Sequence, residues 1–266
     1  MSFIDSHCHL DFSPLSEQLD QVLMRAEQQG VKEFVVPSVS IANIPGVIEL
    51  AKQFRQVHIA LGLHPCFMHL HQPLDIDLLA DYVASARPCA IGEIGLDFFI
   101  TSDVSQRQRQ LQLAEQQLAL AQQFNLPVIV HVRKAHDQLL MLLKKLKFIQ
   151  GGIVHAYSGS AEQAQRYINE FGFKLGFGGT VTYQRSTKIR QLASQLPLWS
   201  LVLETDAPDM PLFNMQLTVN QPANIRHIAE VVCELRHESS GEIERQIKKN
   251  TLECLKLRAS GNYLLR

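Results

Sequence analysis

His7 and His9, in the segment Phe3-Ile4-Asp5-Ser6-His7-Cys8-His9, are the residues of this chain whose type and spacing most directly suggest chemistry. Side chains alternate faces along extended backbone, so a His-x-His pair there turns both imidazoles the same way. Two neutral imidazoles side by side are suited to holding one transition-metal ion. The pair alone is also consistent with chance spacing in a chain of 11 histidines. What separates the two readings is that further ligand-type residues directly follow later apolar, β-branched runs. The third run leads into Gly62-Leu63-His64-Pro65 and the fourth into Gly92-Glu93-Ile94-Gly95-Leu96-Asp97. The fifth ends His131-Val132-Arg133, the sixth His155-Ala156-Tyr157-Ser158-Gly159, and the eighth Glu204-Thr205-Asp206. Buried imidazoles and carboxylates are costly unless paired or metal-bound.

Charge counting sharpens the expectation. His7, His9, His131 and His155 offer four neutral nitrogens, and Glu93 and Asp206 add two negative charges. That set suits two borderline divalent cations, with Glu93 placed to bridge them. Nitrogen-rich donors favour zinc or manganese, whereas oxygen-only donors would favour calcium or magnesium; magnesium is kept as an ion that supports activity. Two cations roughly 3.5–4 Å apart lower the pKa of a shared water and clamp both sides of a displacement. Asp206 would then take the proton of the attacking water. Glu204, two residues earlier on the same face and one layer deeper, reads either as a group orienting the ligands or as an internal ion-pair partner. Asp5 has the same two readings.

These residues need a scaffold that gathers strand ends. Strand-like runs occur at the opening segment, Phe34–Val36, Val57–Leu61, Cys89–Ile91, Val128–Val130, Gly152–Val154, Phe173–Leu175 and Leu201–Leu203. Between them lie helical periodicities, such as Leu111, Ala114, Leu118 and Ala121 in a Gln-rich stretch, Leu139, Leu142, Leu143 and Leu146, and Ile225, Ile228, Ala229, Val232 and Leu235. Eight alternations without a linker predict an α/β fold, a single (β/α)8 TIM-type barrel, whose strand C-terminal ends converge on one face. An open doubly wound sheet is disfavoured, because the first strand lacks the Gly-rich turn of a dinucleotide site. One domain is expected over 1–266, with the barrel at roughly 2–238 and an extra helix at roughly 239–258 packed on the outside.

Composition narrows the functional classes. The chain has 266 residues, 46% of them hydrophobic, and a formal net charge of −1. That charge gives no broad electrostatic footprint for gripping long nucleic acid, so a phosphate substrate must be held locally. The five cysteines form no Cys-x-x-Cys pair and their odd number fits no closed disulfide framework, which favours a reducing cytoplasm. No secretory signal or spanning segment is apparent, so no membrane is expected; no obligate protein partner is apparent, and the sequence leaves the oligomeric state open.

Taken together, the six quoted segments resemble the TatD family of metal-dependent hydrolases, within the amidohydrolase-like barrels, and are most similar to its YjjV branch. The matched segments run from Asp5 to Pro208 in family order, including His131-Val132-Arg133-Lys134-Ala135 and Glu204-Thr205-Asp206-Ala207-Pro208. The resemblance implies that His7, His9, Glu93 and Asp206 bind one ion, and Glu93, His131 and His155 the other. It also implies phosphodiester hydrolysis, as a DNase trimming 3′ ends. Two departures stand out. Val219-Asn220-Gln221-Pro222 replaces an Arg-Asn-Glu-Pro type segment, and Ala156-Tyr157 replaces a usual Cys-Phe. Both are expected in substrate loops, which places the preferred substrate in question.

Other features carry two readings each. His64 either contacts substrate or stabilises its own loop. Arg133, two residues after His131, is expected to bind a phosphate bidentately. Gly176-Phe177-Gly178-Gly179-Thr180 reads as a turn before it reads as a phosphate cradle. Arg185, Lys188 and Arg190 read as a solvated face, and Phe67, Phe98, Phe99, Tyr157 and Tyr183 as loop aromatics that pack under their loops or stack on bases. His58, His69, His71, His136, His227 and His237 are expected to be surface or structural. The sequence therefore predicts a cytoplasmic divalent-metal hydrolase acting on short or single-stranded DNA. An ester, amide, lactone or aminoacyl-tRNA linkage is the rival substrate, and a non-catalytic metal-stabilised barrel the third reading.

Overall fold

The strand-forming runs are short and almost wholly apolar because each is buried on both faces, against helices outside and against the barrel's own filling inside. The computed structural model describes residues 2–257. The strands are β1 (Phe3–Asp5), β2 (Val31–Pro37), β3 (Val57–Leu61), β4 (Ala90–Asp97), β5 (Val128–Arg133), β6 (Gly152–Val154), β7 (Phe173–Phe177) and β8 (Leu201–Leu203), all parallel and paired in sequence order. The helices are α1 (Leu19–Gln28), α2 (Ile44–Gln53), α3 (Asp75–Ala86), α4 (Val104–Phe124), α5 (His136–Lys145), α6 (Ala161–Phe171), α7 (Thr187–Gln195), α8 (Ile225–Leu235) and α9 (Ser240–Cys254). This is the expected (β/α)8 alternation. No helix among the described residues is long and apolar enough to cross a membrane.

The ring closes between β8 and β1 at the strands' far ends. Ser6 N–H donates to the Leu203 carbonyl at 3.0 Å, and Asp206 N–H donates to the His7 carbonyl at 2.9 Å. The Asp5 carboxylate supports the seam, accepting the Thr205 N–H at 2.9 Å and the Thr205 hydroxyl. Asp5 Oδ1 also accepts the His7 N–H at 3.3 Å, so of its two readings the structure supports a group that orients a ligand residue, acting through the backbone while stapling the first strand to the last.

Inside the barrel, Ile4, Val35, Ala60, Ala90, Ile129, Ile153 and Val202 form an apolar floor layer closed from below by Leu255. The expectation for the C-terminal helix needs correcting here. The element α9 does not pack solely on the outside; its C-terminal end turns across the floor. Asn250 Nδ2 donates to the Leu198 and Leu201 carbonyls, and Leu255, just past the helix, is buried in that layer. An amphipathic repeat looks the same whether its apolar stripe meets a helix layer or the end of a barrel.

Candidate metal centre

Strand periodicity carries the floor layer up to the polar mouth. Two residues beyond Ile129, Ile153 and Val202 of the floor come His131, His155 and Glu204. On β4 the pairing with β5 is irregular between Ile91 and Ile94, and Glu93 lies within that irregular stretch. Its N–H donates to the Ser38 carbonyl at 3.0 Å, which fixes the backbone behind its carboxylate. Gly62 faces this turn, where a Cβ would stand 2.8 Å from the Gly92 carbonyl carbon. His7 and His9 lie just past the end of β1. The backbone there is still laddered, with Cys8 N–H donating to the Val35 carbonyl and His9 N–H to that of Ala207.

All six residues expected as ligands meet around Glu93. Its two oxygens face different histidines. Oε2 lies 3.1 Å from His7 Nε2 and 3.7 Å from His9 Nε2. Oε1 lies 3.3 Å from His131 Nδ1 and 3.6 Å from His155 Nε2. Asp206 Oδ1 completes the first side, 3.5 Å from His7 Nε2 and 3.7 Å from His9 Nε2, while its Oδ2 is 3.8 Å from His155 Nε2. The Nε2 atoms of His7 and His9 are 3.3 Å apart.

Neighbouring groups set which nitrogen of each ring is free. Glu204 Oε1 accepts from His155 Nδ1 at 3.1 Å, so Nε2 is the nitrogen left facing the centre. Asp97 Oδ2 accepts from His131 Nε2 at 3.0 Å, which leaves Nδ1 toward Glu93. His64 differs. Its Nδ1 accepts the Cys66 N–H at 3.0 Å, so the neutral ring carries its proton on Nε2, 3.1 Å from Glu93 Oε1. Both of its nitrogens already have protein partners, and the geometry is that of a group orienting Glu93.

Electrostatics follow from burial set against these contacts. Burial alone would raise the Glu93 carboxyl, but His64, His7 and His155, with the His131 hydrogen bond, hold it well below the usual carboxylate range. Burial would lower His155, yet the carboxylates of Asp206, Glu204 and Glu93 outweigh it and hold the ring up at about 10. Asp206 is pushed up to about 6 by burial. The donor set fits divalent cations. Four imidazoles and two carboxylates share one buried mouth, and His7, Glu93 and His155 on one side and His7, His9 and Asp206 on another each bring ligand atoms within 4.8 Å of one another. The buried Nδ1 atoms of His7 and His9 have no hydrogen-bond partner among the described residues, so no protein acceptor fixes where either ring carries its proton.

The mouth opens into a cavity of about 620 Å³. Arg133 is exposed at its rim, stacked with its guanidinium carbon 3.7 Å from the centre of the Phe99 ring, and is the single Lys or Arg among the described residues that line it. Lys188 and Arg190 are not a purely solvated face. Lys188 Nζ donates to the Ser158 carbonyl at 2.7 Å and Arg190 to that of Val181 at 2.8 Å, tying α7 to two mouth loops. The glycines within and just after β7 serve packing: a Cβ on Gly176 would stand 2.3 Å from Glu204 Oε2, and one on Gly179 2.3 Å from the Met210 carbonyl oxygen.

One expected substrate loop is corrected. Val219-Asn220-Gln221-Pro222 does not line the cavity. Asn220 is buried and donates to the carbonyls of Thr205 and Asp209, at 2.8 and 2.7 Å, while Gln221 accepts from Arg25 of α1 at 2.9 Å. The Ala156-Tyr157 departure does reach the cavity, but the Tyr157 hydroxyl is bound to the Ser160 carbonyl at 2.6 Å.

Residues the sequence did not single out also shape the site. Asp97 orients His131, and Thr205 anchors Asp5. Two buried glutamines of α4 act as substitute backbone: Gln117 pairs with both polar groups of Leu63, and Gln110 with both of Asp97. Their seven-residue spacing puts them on one helix face, a signal hidden by the many other glutamines there.

Comparison with known proteins agrees with this picture. The family described as TatD related DNase matches residues 4–256. An uncharacterized metal-dependent hydrolase of Escherichia coli K12, YjjV, is 43% identical over 251 residues, 94% of this chain and 96% of the relative. An uncharacterized metal-dependent hydrolase of Haemophilus influenzae is 37% identical over 260 residues, 95% of this chain and 99% of that one. The crystal structure of YjjV, a TatD homologue from E. coli K12, superposes with a TM-score of 0.90 at 41% identity, covering 96% of this chain and 98% of the other.

Proposed function

We propose a function from one premise: the chain belongs to the TatD family of metal-dependent hydrolases. Within that class, its reaction is hydrolysis of DNA phosphodiester bonds, trimming the 3′ ends of short or single-stranded DNA. The observation that carries this reading is the division of Glu93's two oxygens between two sets of histidines, which suits a carboxylate bridging two divalent cations. His7, His9, Glu93 and Asp206 would hold one cation, and Glu93, His131 and His155 the other, with zinc or manganese favoured by the nitrogen-rich donors. When bound, such cations supply Lewis acidity to the scissile phosphate and to water.

The chain's own groups do the rest. Asp206 accepts a proton as the water oxygen adds to phosphorus and one P–O ester bond breaks. Glu204 and Asp97 hold His155 and His131 in their working tautomers. Arg133, braced on Phe99, takes a phosphate oxygen at the rim. Arg133 as the single Lys or Arg among the described residues that line the cavity, with a net charge of −1, matches a short substrate and argues against wrapping a duplex. Asp206 and Ala156 also adopt left-handed backbone, with φ of 56° and 42°, a conformation costly for non-glycine residues and concentrated at functional sites.

The test is turnover of 3′-labelled single-stranded oligonucleotides with zinc, manganese or magnesium, beside a panel of ester, amide, lactone and aminoacyl-tRNA substrates. Asp206→Asn and His131→Ala should each lose at least about a hundredfold in DNA turnover. Wild-type rates in both variants would sink the mechanism. DNA turnover at background, with an ester or lactone cleaved, would move the function to the rival substrate class.

A further inference from the structure

Cysteine sulfur is a soft ligand, and where it points decides whether it is core filling or chemistry. Cys8 is packed in the strand–helix core, and Cys89 and Cys254 lie against the barrel floor. Cys66 is placed differently. It follows the His64-Pro65 turn after β3, lines the same cavity as the metal centre, and is partly exposed. Its Sγ lies 3.5 Å from Asp97 Oδ2, the oxygen that also meets His131 Nε2 at 3.0 Å. One ring nitrogen of His64, one of His131 and the Cys66 sulfur lie within 4.8 Å of one another.

We infer that His64, Cys66 and His131 form a second, thiolate-containing site in the cavity wall, which takes a soft divalent cation such as zinc or cadmium and inhibits the enzyme when filled. Two imidazoles and one thiolate make a softer donor set than the nitrogen and carboxylate donors of the centre, so the two sites differ in preference. Binding exchanges the S–H bond for a sulfur–metal bond and releases the proton to solvent, with no electron transferred, since a coordinated thiol is deprotonated outright. Inhibition follows from His131, a step that rests on the ligand assignment proposed above. A neutral imidazole has one free lone pair. His64 joins the wall only by giving up the Cys66 N–H that its Nδ1 now accepts, and His131 serves either the centre or the wall, where a cation also stands in the cavity that receives substrate.

The experiment compares the full-length wild type with Cys66→Ser, and with Cys66→Ala as a second removal of the thiolate. Each is freed of metal with a chelator and titrated with cobalt(II). The wild type should develop a near-ultraviolet thiolate-to-cobalt charge-transfer band that neither variant shows. Both variants should keep the visible bands of the histidine and carboxylate centre. In turnover assays, excess zinc should inhibit the wild type at concentrations at least about tenfold lower than it does the variants, each measured against its own activity at optimal metal. Identical cobalt spectra in wild type and variants would overturn the inference. So would a charge-transfer band that survives both substitutions. Because the cobalt spectra need no substrate, they decide the wall site even if DNA proves not to be cleaved.

Discussion

Replacing Glu204 by Gln removes a buried charge while leaving a side chain of nearly the same shape. Glu204 Oε1 accepts from both His155 Nδ1 and the Ala156 N–H, and Oε2 has no partner among the described residues. A hydrogen bond to a charged group contributes about 1.5–3 kcal/mol and a neutral one about 0.5–1.5 kcal/mol, so each bond weakens by about 1 kcal/mol in the variant. The share on Ala156 falls on folding. The share on His155 falls on cation affinity, because a less basic acceptor makes its Nε2 a poorer ligand. One kcal/mol is about fivefold, and the looser ring orientation brings the expected loss to about tenfold or more, the usual range for groups that orient metal ligands. The amide N–H2 would also replace Oε2 in a place with no acceptor, costing stability about 1–3 kcal/mol.

Zinc affinity measured by competition with a calibrated chelator, paired with thermal unfolding after metal removal, separates the two effects. Gly176→Ala is the companion, since its Cβ would stand 2.3 Å from Oε2 and must push the carboxylate aside. It should reproduce the affinity loss while retaining the charge. Zinc binding within twofold of wild type in both variants would refute the idea that Glu204 acts through His155.

Three further outcomes follow from the structure. Burial raises Asp5 from 3.8 to about 8, so the folded chain holds a proton there that the unfolded chain releases. The stability linked to that proton is full below about pH 4 and is lost as pH rises to 8; Asp5→Asn should remove this contribution, seen in the difference between denaturation-versus-pH curves of the two metal-free proteins. Asn220→Ala strips the partner from the Thr205, Asp209 and Met210 carbonyls and should cost roughly 3 kcal/mol, or about 6–12 °C in Tm by calorimetry. Leu255→Ala opens the barrel floor and should cost about 2–4 kcal/mol in urea unfolding, while zinc affinity at the opposite end stays within twofold of wild type.

Much of the scaffold was legible in the sequence because burial on both faces leaves an unbroken apolar signature at every strand. The same rule made His131 and His155 readable, since each follows an inward apolar residue by two positions. Glu93 was readable only as a carboxylate abutting an apolar run, because it lies in an irregular stretch of the β4–β5 pairing and counting alternate residues from Ala90 does not reach it. Other features were not legible. The Val219–Pro222 segment looked like a substrate loop because a polar loop shows no direction in sequence. Its partners Arg25 and Thr205 are 196 and 15 residues away from Gln221 and Asn220, and only the fold brings them together. Cys66 looked bland for the same reason, its neighbours Asp97 and His131 lying on two other strands.

The placement of the centre is tied to how the barrel closes. β1 and β8 are three-residue strands, too short to hold each other by a long ladder. Two main-chain bonds and the Asp5–Thr205 contacts join them just beyond their ends. His7 and Asp206 are the very residues that exchange one of those main-chain bonds, and His9 N–H supports the next turn through Ala207. Ligand geometry and ring closure are therefore one constraint. A seam that opened by a fraction of an ångström would carry His7 and His9 away from Asp206, and cations bridging those side chains would draw together segments 200 residues apart in the chain. Closing so long a loop is entropically costly, and ligands shared across it add to the closed state what the short ladder cannot.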